Sequence, residues 1–409
     1  MANQVPGYQY DSYEFRTHSE ADLLREVDVM EDNSKWTGGI MSKQLKLDSI
    51  DGPMFVTEVM SKYAALVYDV TYDTASCDEC TKLLLLPGNS AVVDGQSKPI
   101  AKCIRNTARA SLYETAKLNG SALGEMHQSR LADTLNNGLH VAKGTTLMLE
   151  RYGKVTALHS DANGGYRPMA ISMLLKITMK ALSDRFGTPD FKFGLNRHDY
   201  TYAVWDLPDV QNELVSKYQA ALENSVSFHH AIAFMPAVRF SSSDTAASSA
   251  TLVPQFKLPS GVYFRLVDGI QVKHKRSTRQ GVKDGLELFE EEAGKIFAKF
   301  EETAEIIKKM GETEIWNPVN CLVGICNKLK ISKKYADAAR EEVERFAATS
   351  ACCSMHDIYL SMAETVGHAE RNGASQKTIR TIEESIAKVL TMDWEEFDVG
   401  GVVAWGNTV

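Results

Sequence analysis

Val262-Tyr-Phe-Arg-Leu-Val267, Asp268-Gly269 and Ile270-Gln-Val-Lys-His-Lys-Arg276 form the stretch on which the architecture of this chain turns. Two β-rich runs flank Asp-Gly, a pair suited to the type I′ turn because both central positions need φ > 0. The pattern predicts a β-hairpin whose second strand ends in Lys273, Lys275 and Arg276, with Arg279 just beyond. Next, Leu286, Phe289, Ala293, Phe297, Phe300, Ala304 and Ile307 recur at steps of three and four. That spacing draws one apolar stripe along a helix reaching Met310, with Glu and Lys on its other side. Hairpin, cationic edge and helix make a physical unit, not a catalytic one.

The 409 residues carry a formal net charge of −8, which argues against a protein that coats nucleic acid over its whole surface. Locally the balance reverses. Arg239, Lys257, Arg265, Lys273, Lys275, Arg276, Arg279 and Lys283 face only Asp244 and Asp268. Cations track phosphates, and the adjacent Tyr263 and Phe264 offer rings on which bases stack. A strand edge guarded by lysines is the alternative. Ser241 to Ser249 reads as a mobile, low-complexity loop between two strand-like runs.

Working towards the N-terminus, Phe191 to Leu207 has β texture and contains Arg197-His198-Asp199. Adjacent strand residues point to opposite faces, so these three do not converge as a triad. Pro208 to Ser225 is helical, and His229-His230 reads as a pair of surface groups. Pro168 opens a buried helix ending near Phe186, after a hairpin around Tyr152-Gly153. Helices are expected over Lys98–Leu118 and Ser121–Leu135, and β structure over Gly52–Pro87. Before these, residues 1–50 form an arm with a short helical run, Glu20 to Val27, and a turn at Trp36-Thr-Gly-Gly39. The arm packs on the chain's own body or on a neighbouring subunit.

Beyond the central unit the chain is helical: Val319–Lys328, Ser332–Phe346, Ser354–His368 and Ser375–Leu390, broken at Asn372-Gly373. Trp394, Phe397 and Trp405 should fold back on these helices. The fold class is therefore α+β: antiparallel sheet regions with β-hairpins on long helices, then a helical C-terminal region. Four parts follow: arm 1–50, α+β lobe 51–190, β-rich lobe 191–310 and helical region 311–409.

Seven cysteines, irregularly spaced, suit reduced thiols in a cytoplasm. Cys77-Asp-Glu-Cys80 lacks a second pair, so no zinc is expected. No cofactor is expected either. No run is apolar enough to span a membrane, and the start lacks a signal pattern. Gly-x-x-x-x-Gly-Lys-Ser/Thr, His-Glu-x-x-His and Gly-x-Ser-x-Gly are all missing, which lowers the expectation of an enzyme.

Several motifs in order are similar to one pattern. They are Ser160-Asp-x-x-x-x-Tyr166-Arg-Pro168, Leu195-Asn-Arg-His-Asp-Tyr-Thr, Gly261-Val-Tyr-Phe with Ile270-Gln-Val-Lys-His-Lys, and Met355-His-Asp-Ile-Tyr-Leu-Ser-Met-Ala-Glu-Thr. Over roughly residues 100–395 the chain resembles the phage- and plasmid-borne family labelled "phage/plasmid-like protein", whose function is unknown. The resemblance implies a mobile-element origin and a place in a host cell's cytoplasm, and it supplies no catalytic residues. The expected function is non-enzymatic nucleic-acid binding, including single-stranded DNA binding or annealing, by a homo-oligomer. Lys273, Lys275, Arg276, Arg279, Arg265 and Tyr263 are the expected contacts. The alternative is a structural or host-interaction protein that oligomerises or binds a phage or host protein.

Overall fold

The computed structural model describes residues 8, 10–49, 63, 83–93, 95–160, 168–228, 233–245, 249–274, 278–374 and 376–406. Cys77-Asp-Glu-Cys80, His229-His230, Lys275, Arg276 and most of the Ser160–Pro168 motif lie outside them. The fold is α+β, with antiparallel sheets and a helical C-terminal region.

The arm is built into the body. β1 (Glu14–Thr17) pairs with the edge of the main sheet and leads to α1 (Glu20–Asp32), capped by Ser19, which accepts from the Asp22 N–H at 3.2 Å. β2 (Ser34–Met41) follows and takes in Trp36-Thr-Gly-Gly39. No chain reversal occurs there; the register slips between Thr37 and Ile40, and the glycines absorb a bulge.

A smaller core comes next. Its elements are β3 (Lys46–Ser49), β4 (Leu83–Leu86), β5 (Ser90–Val93), β6 (Gln96–Pro99) and β7 (Lys102–Cys103), then α2 (Arg109–Thr115), α3 (Ala122–Glu125), α4 (Gln128–Val141), β8 (Thr145–Arg151) and β9 (Lys154–Ser160). Leu83, Leu85, Ile104, Leu112, Leu135 and Leu158 meet inside it. The helix expected over Lys98–Leu118 begins only at Arg109. Residues 96–103 are extended, because burying Ala101 and Cys103 from short strands overrides the helical spacing. The β8–β9 hairpin has its turn at Tyr152 (φ 49°) and Gly153 (φ 80°), both in the left-handed region.

The larger core holds α5 (Ile171–Phe186), β10 (Asp190–Arg197), β11 (Thr201–Asp206), α6 (Gln211–Ala221), β12 (Met235–Ser242), β13 (Ala250–Lys257), β14 (Tyr263–Phe264), β15 (Ile270–Val272), α7 (Arg279–Ala293) and α8 (Ile296–Glu312). A seven-stranded antiparallel sheet runs β1-β10-β11-β12-β13, and both β14 and β15 pair with β13. The Asp268-Gly269 hairpin is thereby corrected: β14 pairs at Phe256–Lys257 and β15 at Ala250–Leu252, not with each other. Gly269 is not in the left-handed region; it lets the chain pass the Leu252 carbonyl, where a Cβ would stand 2.4 Å from the oxygen. Burying Phe264, Leu266 and Ile270 in one core outweighs the turn preference of Asp-Gly. The long helix is also two helices, interrupted at Gly294–Lys295.

Five helices, α1 and α5 to α8, pack on one face of this sheet. The C-terminal part adds β16 (Glu314–Ile315), α9 (Pro318–Leu329), α10 (Lys333–Ala347), β17 (Cys353–Ser354), α11 (Met355–Arg371) and α12 (Gln376–Val389), with Trp394 buried at its end. Ser354 caps α11 through the Asp357 N–H at 3.1 Å, and Gly373 (φ 70°) ends it. Nor is the Ser-rich segment simply a surface loop. Ser242, Ser243, Asp244 and Thr245 are buried, with 246–248 outside the described residues.

Candidate nucleic-acid interface

Strand alternation assigns the other face of the main sheet. Val238, Phe240, Leu252 and Phe256 point into the helical layer, so Arg239, Ser241, Thr251, Val253 and Gln255 point away from it. Paired positions carry this face across the strands as Arg16, Leu195, Tyr202, Ser241, Thr251 and Gln271. Lys273, two residues beyond Gln271, continues it and is exposed.

Half-buried rings line its β10–β11 end. Phe193 and Tyr202 are edge-on at 6.1 Å, Tyr200 lies 6.3 Å from Tyr202, and His18 meets Phe193 at 5.9 Å. The Arg239 guanidinium stands over Tyr202 at 5.9 Å and donates to Glu383 of α12 at 2.6 Å. At the β13–β14 end, Lys257 lies 5.4 Å over Tyr263, whose hydroxyl donates to Asp206 at 3.0 Å. Burial and the Asp206 carboxylate push that phenol well above its ordinary pKa.

Of the expected contacts, Tyr263, Arg265 and Lys273 fall on or beside this face. Arg265 is half-buried with Arg239 and Glu383 around a small cavity, and its carbonyl accepts from Tyr359 at 2.6 Å. Arg279 departs from the group: it is exposed at the first turn of α7, in the helical layer. Because β14 and β15 use opposite ends of β13, with Tyr263 opposite Lys257 and Lys273 one step past the Val272–Ala250 pair, the two stand eight residues apart along the strand, about 27 Å at its usual rise. Most cations here have carboxylate partners: Arg16 with Glu14, Arg197 with Glu14 and Asp199, Lys192 with Asp190, Lys257 with Asp206. Lys273 and Arg265 make no ion pair among the described residues. Phe193, Tyr200, Tyr202 and Arg239 escape a linear reading, since only the register of strands distant in sequence places them together.

Three histidines, His198, His274 and His356, are buried in internal contacts. In Arg197-His198-Asp199 a turn, not a strand, separates the side chains. His198 is buried and donates from Nε2 to the Tyr10 carbonyl at 3.0 Å, while Arg197 and Asp199 stay half-exposed. His274 accepts from the Met169 N–H at Nδ1 (3.1 Å) and meets Ser242 Oγ at 2.9 Å through Nε2. His356 meets the Tyr218 hydroxyl at 2.7 Å, and its neighbour Asp357 accepts from Ser227 and Ser354 at 2.7 and 2.9 Å. Among the described residues no group of three or more metal-ligating side chains converges, and no helix is long and apolar enough to cross a membrane.

No family model matches the chain, and no curated protein or solved structure matches it.

Proposed function

We propose that this is a non-enzymatic protein that holds single-stranded nucleic acid against the half-exposed β10–β11 end of this face of its main sheet, the β12–β14 end being covered by α11 and α12. The observation that carries this reading is the ring group Phe193, Tyr200 and Tyr202, on the same face as Lys273, a cation with no ion pair among the described residues. Aromatic faces stack bases without regard to sequence, and a nearby cation supplies a phosphate contact. The motif resemblance adds a mobile-element setting, phage or plasmid DNA metabolism in a host cytoplasm, with the protein acting as an oligomer. Because most cations on the face are already paired, stacking contributes more than charge.

Fluorescence anisotropy with a labelled oligonucleotide tests this directly. Tyr202→Ala should weaken binding by about 1–3 kcal/mol, the usual value of one stacked base. Lys273→Ala should lower the slope of log K against log salt by about 0.7, one phosphate on a single strand. Wild-type protein that binds no oligonucleotide at low salt, or variants that bind as well as wild type, would sink the proposal. The second reading, a structural or host-interaction protein, would then lead. It draws on the internally paired charges of this face and on Trp316, which is 60% exposed.

A further inference from the structure

Two asparagines on α9, Asn320 and Asn327, hydrogen-bond residues 399–406 through main-chain atoms only, while Val403 and Trp405 pack against the core. Asn320 Nδ2 donates to the carbonyls of Val399 (2.7 Å) and Gly401 (2.9 Å), and its Oδ1 accepts from the Val403 N–H at 3.1 Å. Asn327 repeats the pattern, donating to the Ala404 carbonyl at 3.0 Å and accepting from the Gly406 N–H at 2.8 Å. Each amide thus closes a ring around one residue, Val402 or Trp405. Seven residues of helix rise about 10.5 Å. Three residues of extended chain rise about 10 Å. The two repeats match, so a pair at i and i+7 reads an extended chain at every third residue.

We propose that this face of α9 is a peptide groove, and that segment 399–406 exchanges out of it in favour of the same segment from a second copy of the chain. Three observations favour exchange. Every bond to the segment is made through groups that would be the same in either chain, so the swap costs no contact. The segment is seated on one side only: Val403 and Trp405 pack half-buried against the core, whereas Val402 is 95% exposed and a cleft of about 750 Å³ lies between residues 402–405 and Lys333, Arg340 and Glu344 of α10. Gly400 and Gly401 (φ 88°) provide a pivot near the start of the segment, with Val399 between them and the firm attachment that ends at Asp398. That attachment is Phe397, packed against Gly324, and Asp398, which accepts from the Asn317 N–H at 2.6 Å.

Two full-length variants separate groove from segment. Asn320→Ala with Asn327→Ala disables the groove. Val403→Pro with Gly406→Pro removes the two N–H donors from the segment and leaves the body untouched. Light scattering on a sizing column should show wild type moving from one-chain to two-chain mass as concentration rises, and each variant alone staying at one. Mixing the two variants should restore a two-chain species, because one intact groove meets one intact segment. A labelled peptide of residues 399–406 should bind the proline variant at least about tenfold more tightly than a chain carrying all four substitutions, a loss of about 1.4 kcal/mol. Wild type at one-chain mass throughout, no complementation in the mixture, or peptide binding indifferent to the asparagines would overturn the proposal. Circular dichroism melts that match wild type show that the variants are folded; if the proline variant is not, peptide displacement on wild type decides between the same outcomes.

Discussion

Burial pushes the His198 imidazole from 6.5 down to about 2, and the Arg105 and Arg151 guanidiniums add to the fall. The neutral ring is therefore the one that fits the fold, with its proton on Nε2 facing the Tyr10 carbonyl. Because the folded pKa lies below the unfolded one, the contribution is complete above about pH 6.5 and is lost as pH falls towards 2. Each pH unit in that window costs up to about 1.4 kcal/mol for this one group. Urea denaturation of wild type and His198→Gln between pH 5 and 7 should show the variant's stability falling less steeply. Parallel curves would mean that His198 titrates normally. Gly269 is a second residue whose identity is set by one contact. A methyl there would press on the Leu252 carbonyl at 2.4 Å, main chain that cannot step aside. Gly269→Ala should cost about 1–3 kcal/mol, the usual range for overpacking. An unchanged melting temperature would show that the β14–β15 passage is looser than drawn.

At the level of elements, the helical stripe divides by depth. Phe289 and Phe300 are fully buried, Phe300 against Phe186 (5.9 Å) and Phe256 (5.6 Å), whereas Leu286 and Phe297 are half-buried at the margin. Phe300→Ala should cost about 3–5 kcal/mol in a denaturation experiment. Phe297→Ala should cost clearly less, and the exposed Glu291→Ala under about 1 kcal/mol. Equal losses at 297 and 300 would contradict the depth assigned to the two rings. What a linear reading captures here follows from locality. The C-terminal helices were legible because the apolar period and the break at Asn372-Gly373 both act within a few residues. The turn at Tyr152-Gly153 was legible for the same reason. Asp268-Gly269 was not, because the competing interaction is with β13, and turn chemistry says nothing about a third strand. The ring-lined face failed to show for a related cause: Phe193, Tyr202 and Arg239 become neighbours only through the register of β10, β11 and β12. Only Tyr263, Arg265 and Lys273 were within reach of sequence.

Among the described residues the molecule as a whole has two hydrophobic cores, and a polar contact joins them. Arg151, at the end of β8 in the smaller one, donates to Asp244 in the β12–β13 connection of the larger, to the His198 carbonyl and, at 2.8 Å, to Ser34 Oγ. Nearby Arg105, fully buried, donates to Asp11 at 3.1 Å and to the Tyr8 carbonyl at 2.8 Å. Both side chains of the Arg151–Asp244 pair are under 10% exposed, at 2% and 8%. A buried pair of this kind adds little beyond what its desolvation costs, yet removing one partner leaves a charge with no water and no counter-ion. Asp244→Asn should therefore destabilise the protein by about 3–5 kcal/mol. Arg151→Met with Asp244→Leu should cost less than the sum of the two single changes, since the second substitution removes the stranded charge. If the pair also couples the cores, calorimetry of Asp244→Asn should split one melting transition into two, the smaller core first. A single sharp transition in every variant, with additive losses under about 1 kcal/mol, would place the coupling elsewhere, in the strand β2 that runs from α1 into the smaller core.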